Sequence, residues 1–147
     1  MLQELSRDGQ GRDLVKFLQR ILAAKDAGFN SVIQGAAARV VSALLSEFYS
    51  APSSVEDARI MLNFLITNSL KSNKSLSDYI IAVCLSHLLL VPGVAAAFLS
   101  LDGMMVLREI LERNAKDLQV TYYTFLCLWV LSFEDSFKRY AADPKVR

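Results

Sequence analysis

Apolar residues along this chain recur at spacings of three and four, and clusters of small polar residues mark where one run ends and the next begins. That spacing puts the apolar side chains on one face of a helix, against a core. It predicts helices from about Asp13 to Ala24, Ser31 to Tyr49, Ser54 to Asn68, Ser77 to Val91 and Gly103 to Asn114, and a last long one from a cap at Asp117 to Phe133. A short extra helix is expected between Pro92 and Ser100. Ser53 stands three residues ahead of Glu56, the spacing at which a hydroxyl and a carboxylate satisfy each other's free amide donors at a helix start. Ser, Asn, Lys and Gly fill the connections, and no stretch alternates with the period of a strand. The expected class is all-α.

One run departs from the amphipathic pattern. Tyr79 to Leu101 is 23 residues without an Asp, Glu, Lys or Arg, fenced by Asp78 and Asp102, which is how a membrane span reads. Pro92 lacks an amide donor and crowds the preceding turn, and Gly93 follows it, so the helix from Tyr79 should stop near Val91. The longer piece is then about 12 to 14 residues, short of the ~20 that a bilayer core requires. A span kinked at Pro-Gly is the competing reading, because membrane helices tolerate both residues. A segment apolar on every side is read here as a helix buried by its neighbours.

Overlaying the helices supplies those neighbours. Leu18, Ile21 and Leu22 recur 44 positions on as Leu62, Leu65 and Ile66, and 45 further on as Leu107, Ile110 and Leu111. Val40, Val41 and Leu45 step by 43 to Val83, Cys84 and Leu88, and by 43 again to Leu126, Cys127 and Leu131. Hydrophobes at i, i+3 and i+4 also match by chance, which is the competing explanation. A period of ~40 to 47 residues belongs to armadillo and HEAT arrays, and a short extra helix before the third pair is an armadillo trait. The expected architecture is a right-handed superhelical solenoid of about three helical repeats, one domain over residues 1–147, with a flexible lead-in at about 1–11. In such an array the second helix of each unit is sandwiched between its neighbours. "QVTYYTFLCLWVLSF", Gln119 to Phe133, is again uncharged and apolar all round. Its far side needs a following repeat, so the chain is expected to be part of a longer array.

Composition narrows the function. Hydrophobic residues make up 53% and charged ones 21% of the 147, which excludes a disordered chain and provides for a sizeable core. Sixteen basic against fifteen acidic side chains leave a net charge of +1, so no footprint for nucleic acid or an anionic membrane is expected. Cys84 and Cys127 form no disulfide framework and no signal-peptide pattern opens the chain, so a reducing cytosolic setting is expected.

Reaction chemistry is poorly provided for. The only histidine, His87, stands among Leu85, Leu88, Leu89 and Leu90, and reads as a packed or groove-lining residue. With Cys84 and Cys127 it makes three soft groups without a fourth ligand, a poor zinc site. No Gly-rich loop ends in Gly-Lys-Ser or Gly-Lys-Thr, and "RDGQG" lacks a lysine in the right place, so no phosphate cradle is expected. Glu56 with Asp57 and Glu134 with Asp135 lie near helix starts, where carboxylates favour the dipole. No catalytic, cofactor-binding or metal-binding residue is expected.

Within the sequence, "LQVTYYTFLCLWVLSFEDSFKRY" resembles the diagnostic stretch of the H subunit of the eukaryotic vacuolar proton-pumping ATPase, with Gln119, Tyr122, Trp129, Leu131 and Phe133 at the motif positions. "AVCLSHLLLVPGVAAAFLSLDGMMVLREIL", with the Asp102-Gly103 pair, is similar to the family's preceding repeat, and "GAAARVVSALL" to an earlier helix. The resemblance covers roughly residues 12 to 147 and corresponds to the later part of the family's larger, N-terminal armadillo domain. Two departures stand out. A helix that the family carries between the segment matching Lys138 to Tyr140 and a stretch like "DPKVR" is missing, and the smaller C-terminal domain has no counterpart.

The resemblance implies a non-catalytic peripheral component on the cytosolic face of vacuolar or endosomal membranes. Its implied partners are the E and G subunits of the stator stalk and the cytosolic part of the membrane-embedded a subunit, with the membrane met only through the complex and no nucleic acid. Through them it supports coupled ATP-driven proton transport and restrains hydrolysis when the catalytic sector detaches. On the helices that line the concave side of armadillo arrays, Arg39, Tyr79, Tyr122 and Tyr123 are the candidate partner-binding residues. The competing reading packs the tyrosines between repeats with wet hydroxyls. Lys138 and Arg139 are candidates for an acidic partner or simply an exposed helix end, and Lys71, Asn73 and Lys74 read as a solvated loop. A different class of function, a free armadillo-like adaptor gripping peptides or extended segments in its groove, would favour a repeated ladder of asparagines and tryptophans; the sequence has one tryptophan, Trp129.

Overall fold

Seven α-helices account for nearly all of the backbone that the computed structural model describes, namely Arg20 and residues 31–47, 52–70 and 76–146. They are α1 (Ser31–Glu47), α2 (Pro52–Leu70), α3 (Asp78–Leu88), α4 (Val94–Ser100), α5 (Gly103–Arg113), α6 (Leu118–Ser132) and α7 (Asp135–Ala142), followed by a 3-10 turn at Pro144–Val146. No strand occurs among the described residues, and the fold is all-α. Apart from Arg20, which is helical, the expected helix Asp13–Ala24 with Leu18, Ile21 and Leu22 lies outside the described residues, as do the lead-in at 1–11, the loop with Lys71, Asn73 and Lys74, and the side chain of Leu45.

Helix ends follow local chemistry. The Ser77 hydroxyl accepts from the Ile80 amide at 3.3 Å and caps α3, and the Asp117 carboxylate accepts from Gln119 and Val120 at 3.0 and 3.1 Å and caps α6. The pairing expected of Ser53 and Glu56 needs correcting. α2 opens two residues before the expected Ser54, on Pro52, whose missing amide costs nothing at a first helical position, so Ser53 lies inside the first turn.

The apolar run from Tyr79 to Leu101 is broken, as expected, and the break comes earlier than Val91. α3 ends at Leu88, tight bonds from the Leu90 and Val91 amides to His87 and Leu88 close the turn, and Gly93 takes a left-handed φ of 83° before α4 starts. No helix among the described residues is long and apolar enough to cross a membrane.

Packing sorts the helices into two layers. α1, α3 and α6 lie side by side with α3 in the middle; α2 packs on α1 and α3, α5 packs on α3 and α6, and α4 touches α2, α5 and α7. Leu62 and Leu65 of α2 and Leu107 and Ile110 of α5 are buried at corresponding places, and so are Cys84 and Leu88 of α3 and Cys127 and Leu131 of α6. Those pairs are the ones related by 45 and 43 positions in the sequence, which makes the repeat a property of the fold. Val40 departs from it: its counterpart Val83 is buried, but Val40 is 45% exposed.

Position in the stack decides the fate of an apolar helix. α3, between α1 and α6, buries residues 81–86 without a break. α6 is equally apolar but buries only Val120, Thr124, Cys127 and Leu131, leaving Leu118, Tyr122, Phe125, Trp129 and Phe133 exposed along one stripe. Trp129 and Phe133 meet edge to face on that stripe at 5.2 Å.

A polar latch joins three helices near the start of α3. The buried Asp78 carboxylate accepts two bonds from Arg113 of α5, each 3.1 Å, and one of 2.6 Å from Asn114; Arg113 also reaches the Ser69 hydroxyl of α2 at 3.4 Å and Glu109 at 3.2 Å.

Candidate functional site

The exposed edge of the α1–α3–α6 layer carries four of the six residues singled out from sequence, and the structure brings them together. Arg39 of α1 lies with its guanidinium carbon 6.0 Å from the centre of the Tyr79 ring of α3. Tyr79 meets Tyr123 of α6 edge to face at 5.7 Å, and Tyr123 meets Tyr122 in the same way at 5.2 Å. The ring planes cross at 77° and 81°, the edge-to-face arrangement that aromatic quadrupoles favour. The result is a continuous row across all three helices. Tyr79 and Tyr123 are half-buried, so they also fill the seam between repeats, whereas Arg39 and Tyr122 are exposed. Tyr79 and Tyr123 thus match the packing reading, and Tyr122 does not.

Lys138 and Arg139 do not join the row. They stand on α7, exposed, with Lys138 held to Asp135 at 3.2 Å in the same helix. An exposed pair three residues apart contributes little.

Beside the row, α1 and α3 part to leave a cleft of about 350 Å³ lined by Ala36, Arg39, Val40, Ala43, Val83 and His87. Sequence reasoning left His87 as packed or groove-lining, and it lines this cleft; the alanines and valines that make the groove were missed. The available signal was the 43-residue register, which sets Ala36 against Tyr79 and Tyr122 at equivalent positions. A second cleft, about 400 Å³, lies between α2 and α4 with Arg59, Asn63 and Ser100 on its rim.

The two thiols face inward, not into the cleft. Burial pushes Cys84 up from 9.0 to about 11, with the facing Ser42 hydroxyl and the charge of Arg39 offsetting part of the rise. Although it lowers the thiol in this way, the buried Ser42 oxygen does not reach hydrogen-bonding geometry with any group among the described residues. Cys127 rises to about 12, again by burial, with its own backbone amide working the other way, and its sulfur lies 3.6 Å from the Ala82 carbonyl of α3. Both are therefore protonated and shielded, the opposite of a nucleophile's environment. No group of three His, Cys, Asp or Glu among the described residues could hold a metal ion.

This makes a testable difference. At pH 8 both thiols of the folded chain should react with Ellman's reagent at least about a hundredfold more slowly than in denaturant, from the loss of thiolate alone. Prompt release of two equivalents from the native chain would contradict the burial. The sign with pH follows: the protonated thiols contribute fully below pH 9.0, and that contribution is lost as pH rises through about 11 and 12.

The cleft and the row beside it form one exposed surface on the α1–α3–α6 layer. Comparison with known families agrees with the reading drawn from the Trp129-centred motif: the family model that describes the V-ATPase H subunit matches residues 1–147. No curated protein and no solved structure matches the chain closely enough for comparison.

Proposed function

The chain belongs to the family of the V-ATPase H subunit, and from that membership we propose that it serves as a non-catalytic, regulatory and structural component of the vacuolar proton pump. It bridges the stator stalk, through the E and G subunits, to the cytosolic part of the membrane-embedded a subunit, and so supports coupled proton transport from the cytosolic face of vacuolar or endosomal membranes. The observation that carries this reading is the match over the whole chain. The layout of the molecule supports it physically. A stator element has to resist torque, and close-packed interiors compress little, so stacked helices around one continuous core make a stiff strut. Its exposed α1–α3–α6 layer is a ready surface for a partner helix.

Co-purification tests the proposal. The tagged chain, expressed in cells that carry the pump, should recover the E and G subunits at stoichiometric yield. Capture of soluble cargo peptides with no stalk component would overturn it and favour the free adaptor, the second reading, whose support is the open cleft at Arg39.

A further inference from the structure

The cleft between α1 and α3 has a cause in the repeat. Tyr79 of α3 and Tyr122 of α6 occupy one position 43 residues apart, and the corresponding residue of α1 is Ala36. Between α3 and α6 the seam is filled by the contact of Tyr79 with Tyr123. Between α1 and α3 the small side chains of Ala36 and Ala43 leave it open over Val40 and Val83. An apolar slot of this size accepts one large side chain. Its rim is not neutral: Arg39 lines it and is exposed, and among the described residues it makes no ion pair and no Asp or Glu lines the cleft. His87 of α3 also lines it. The Tyr79 ring under the Arg39 guanidinium holds it in place beside the opening.

We propose that this cleft is a docking site for an acidic, apolar segment of a partner protein. A leucine- or phenylalanine-sized anchor enters between Ala36, Val40, Ala43 and Val83, and a neighbouring carboxylate meets Arg39. The charge complementarity selects the carboxylate, because a basic segment would set like charges together and a neutral one would leave the arginine unanswered. The register explains why the site occurs once in the row: the tyrosine that closes the next seam is absent from α1. The proposal deepens the reading of the chain as a docking component of the pump and rests on it.

The experiment is a peptide-phage selection on the full chain, followed by fluorescence polarisation with one selected peptide and its Asp/Glu→Asn/Gln counterpart. Selected sequences should pair Asp or Glu with Leu, Phe or Trp, and neutralising the peptide should weaken binding about tenfold. Arg39→Glu should weaken the acidic peptide by at least as much, and Ala36→Tyr, which copies the closed seam, should abolish binding while leaving the helical signal intact. Should Ala36→Tyr fail to fold, Val40→Asp, at a half-solvated position, places a repelling carboxylate in the slot and should act likewise. Peptides without acidic enrichment, or peptides that bind the folded Ala36→Tyr and Val40→Asp variants unchanged, overturn the proposal. So does loss of binding only on Trp129→Ser, which would place the peptide on the exposed stripe of α6. Recovery of the stalk by a chain whose peptide binding ignores Ala36 would sink the docking site alone. Peptide binding as described, with no stalk component recovered, would sink the pump reading alone.

Discussion

Phe98→Ala is expected to lower the unfolding free energy by about 3–5 kcal/mol, the largest effect of any single truncation in the described core. Phe98 is fully buried and is the bulkiest side chain so placed. Its ring also fixes a corner. A Cβ built on Gly103 would lie 2.4–2.5 Å from three carbons of that ring, so the ring occupies the space that any other residue at 103 would need. Asp102, just before it, is held in a left-handed conformation at φ 57°, and the α4–α5 turn is sharp as a consequence. Because α4 touches α2, α5 and α7, the cavity left by alanine opens where four helices meet. The converse change, Gly103→Ala, overfills the same spot and should cost about 1–3 kcal/mol. Urea melts followed by circular dichroism measure both. A Phe98→Ala midpoint equal to that of the unaltered chain would show that the corner is held by something else.

How much of this was legible beforehand depends on the range of the cause. Local causes were readable: Asp117 capped the helix expected of it, Pro92-Gly93 ended α3, and the 43-residue step placed Cys84 and Cys127 at equivalent buried sites. α7 shows the limit of reading by period. Its apolar face, with Phe137 half-buried against the core, is only eight residues long, too short to repeat, and the helix forms where Asp135 favours the first turn and Asp143-Pro144 end it. The row of Arg39, Tyr79, Tyr123 and Tyr122 was anticipated as a set of residue types on one layer, but its order depends on how three helices align, which no local pattern encodes. The cleft was hidden for a related reason. An alanine on a helix is unremarkable until its counterparts one and two repeats on prove to be tyrosines.

Arg113→Ala is the second large effect, expected at about 2–3 kcal/mol, somewhat below the range for a wholly buried pair. Arg113 and Asp78 are 35 residues apart and belong to different repeats, so their pairing had no sequence signature. The asymmetry of the pair sets the order of effects. The Asp78 side chain is 9% exposed and the Arg113 side chain 39%, so water can rehydrate the arginine if the carboxylate goes but cannot rehydrate the carboxylate if the arginine goes. Arg113→Ala should therefore cost more than Asp78→Ala, and Asp78→Asn, which keeps an oxygen for Asn114, should cost least. Arg113→Lys should restore only part of the loss, since one ammonium cannot make the two parallel bonds of the guanidinium. A double-mutant cycle isolates the coupling. Little coupling, or a larger loss from Asp78→Ala than from Arg113→Ala, would show that the latch does not hold α2, α3 and α5 together. That matters beyond stability, because the latch fixes α5 against the start of the middle helix of the α1–α3–α6 layer. The helix that carries Tyr79 is thereby tied to its neighbours at the residue next to that ring, and a loosened latch should blunt stalk recovery before the chain unfolds.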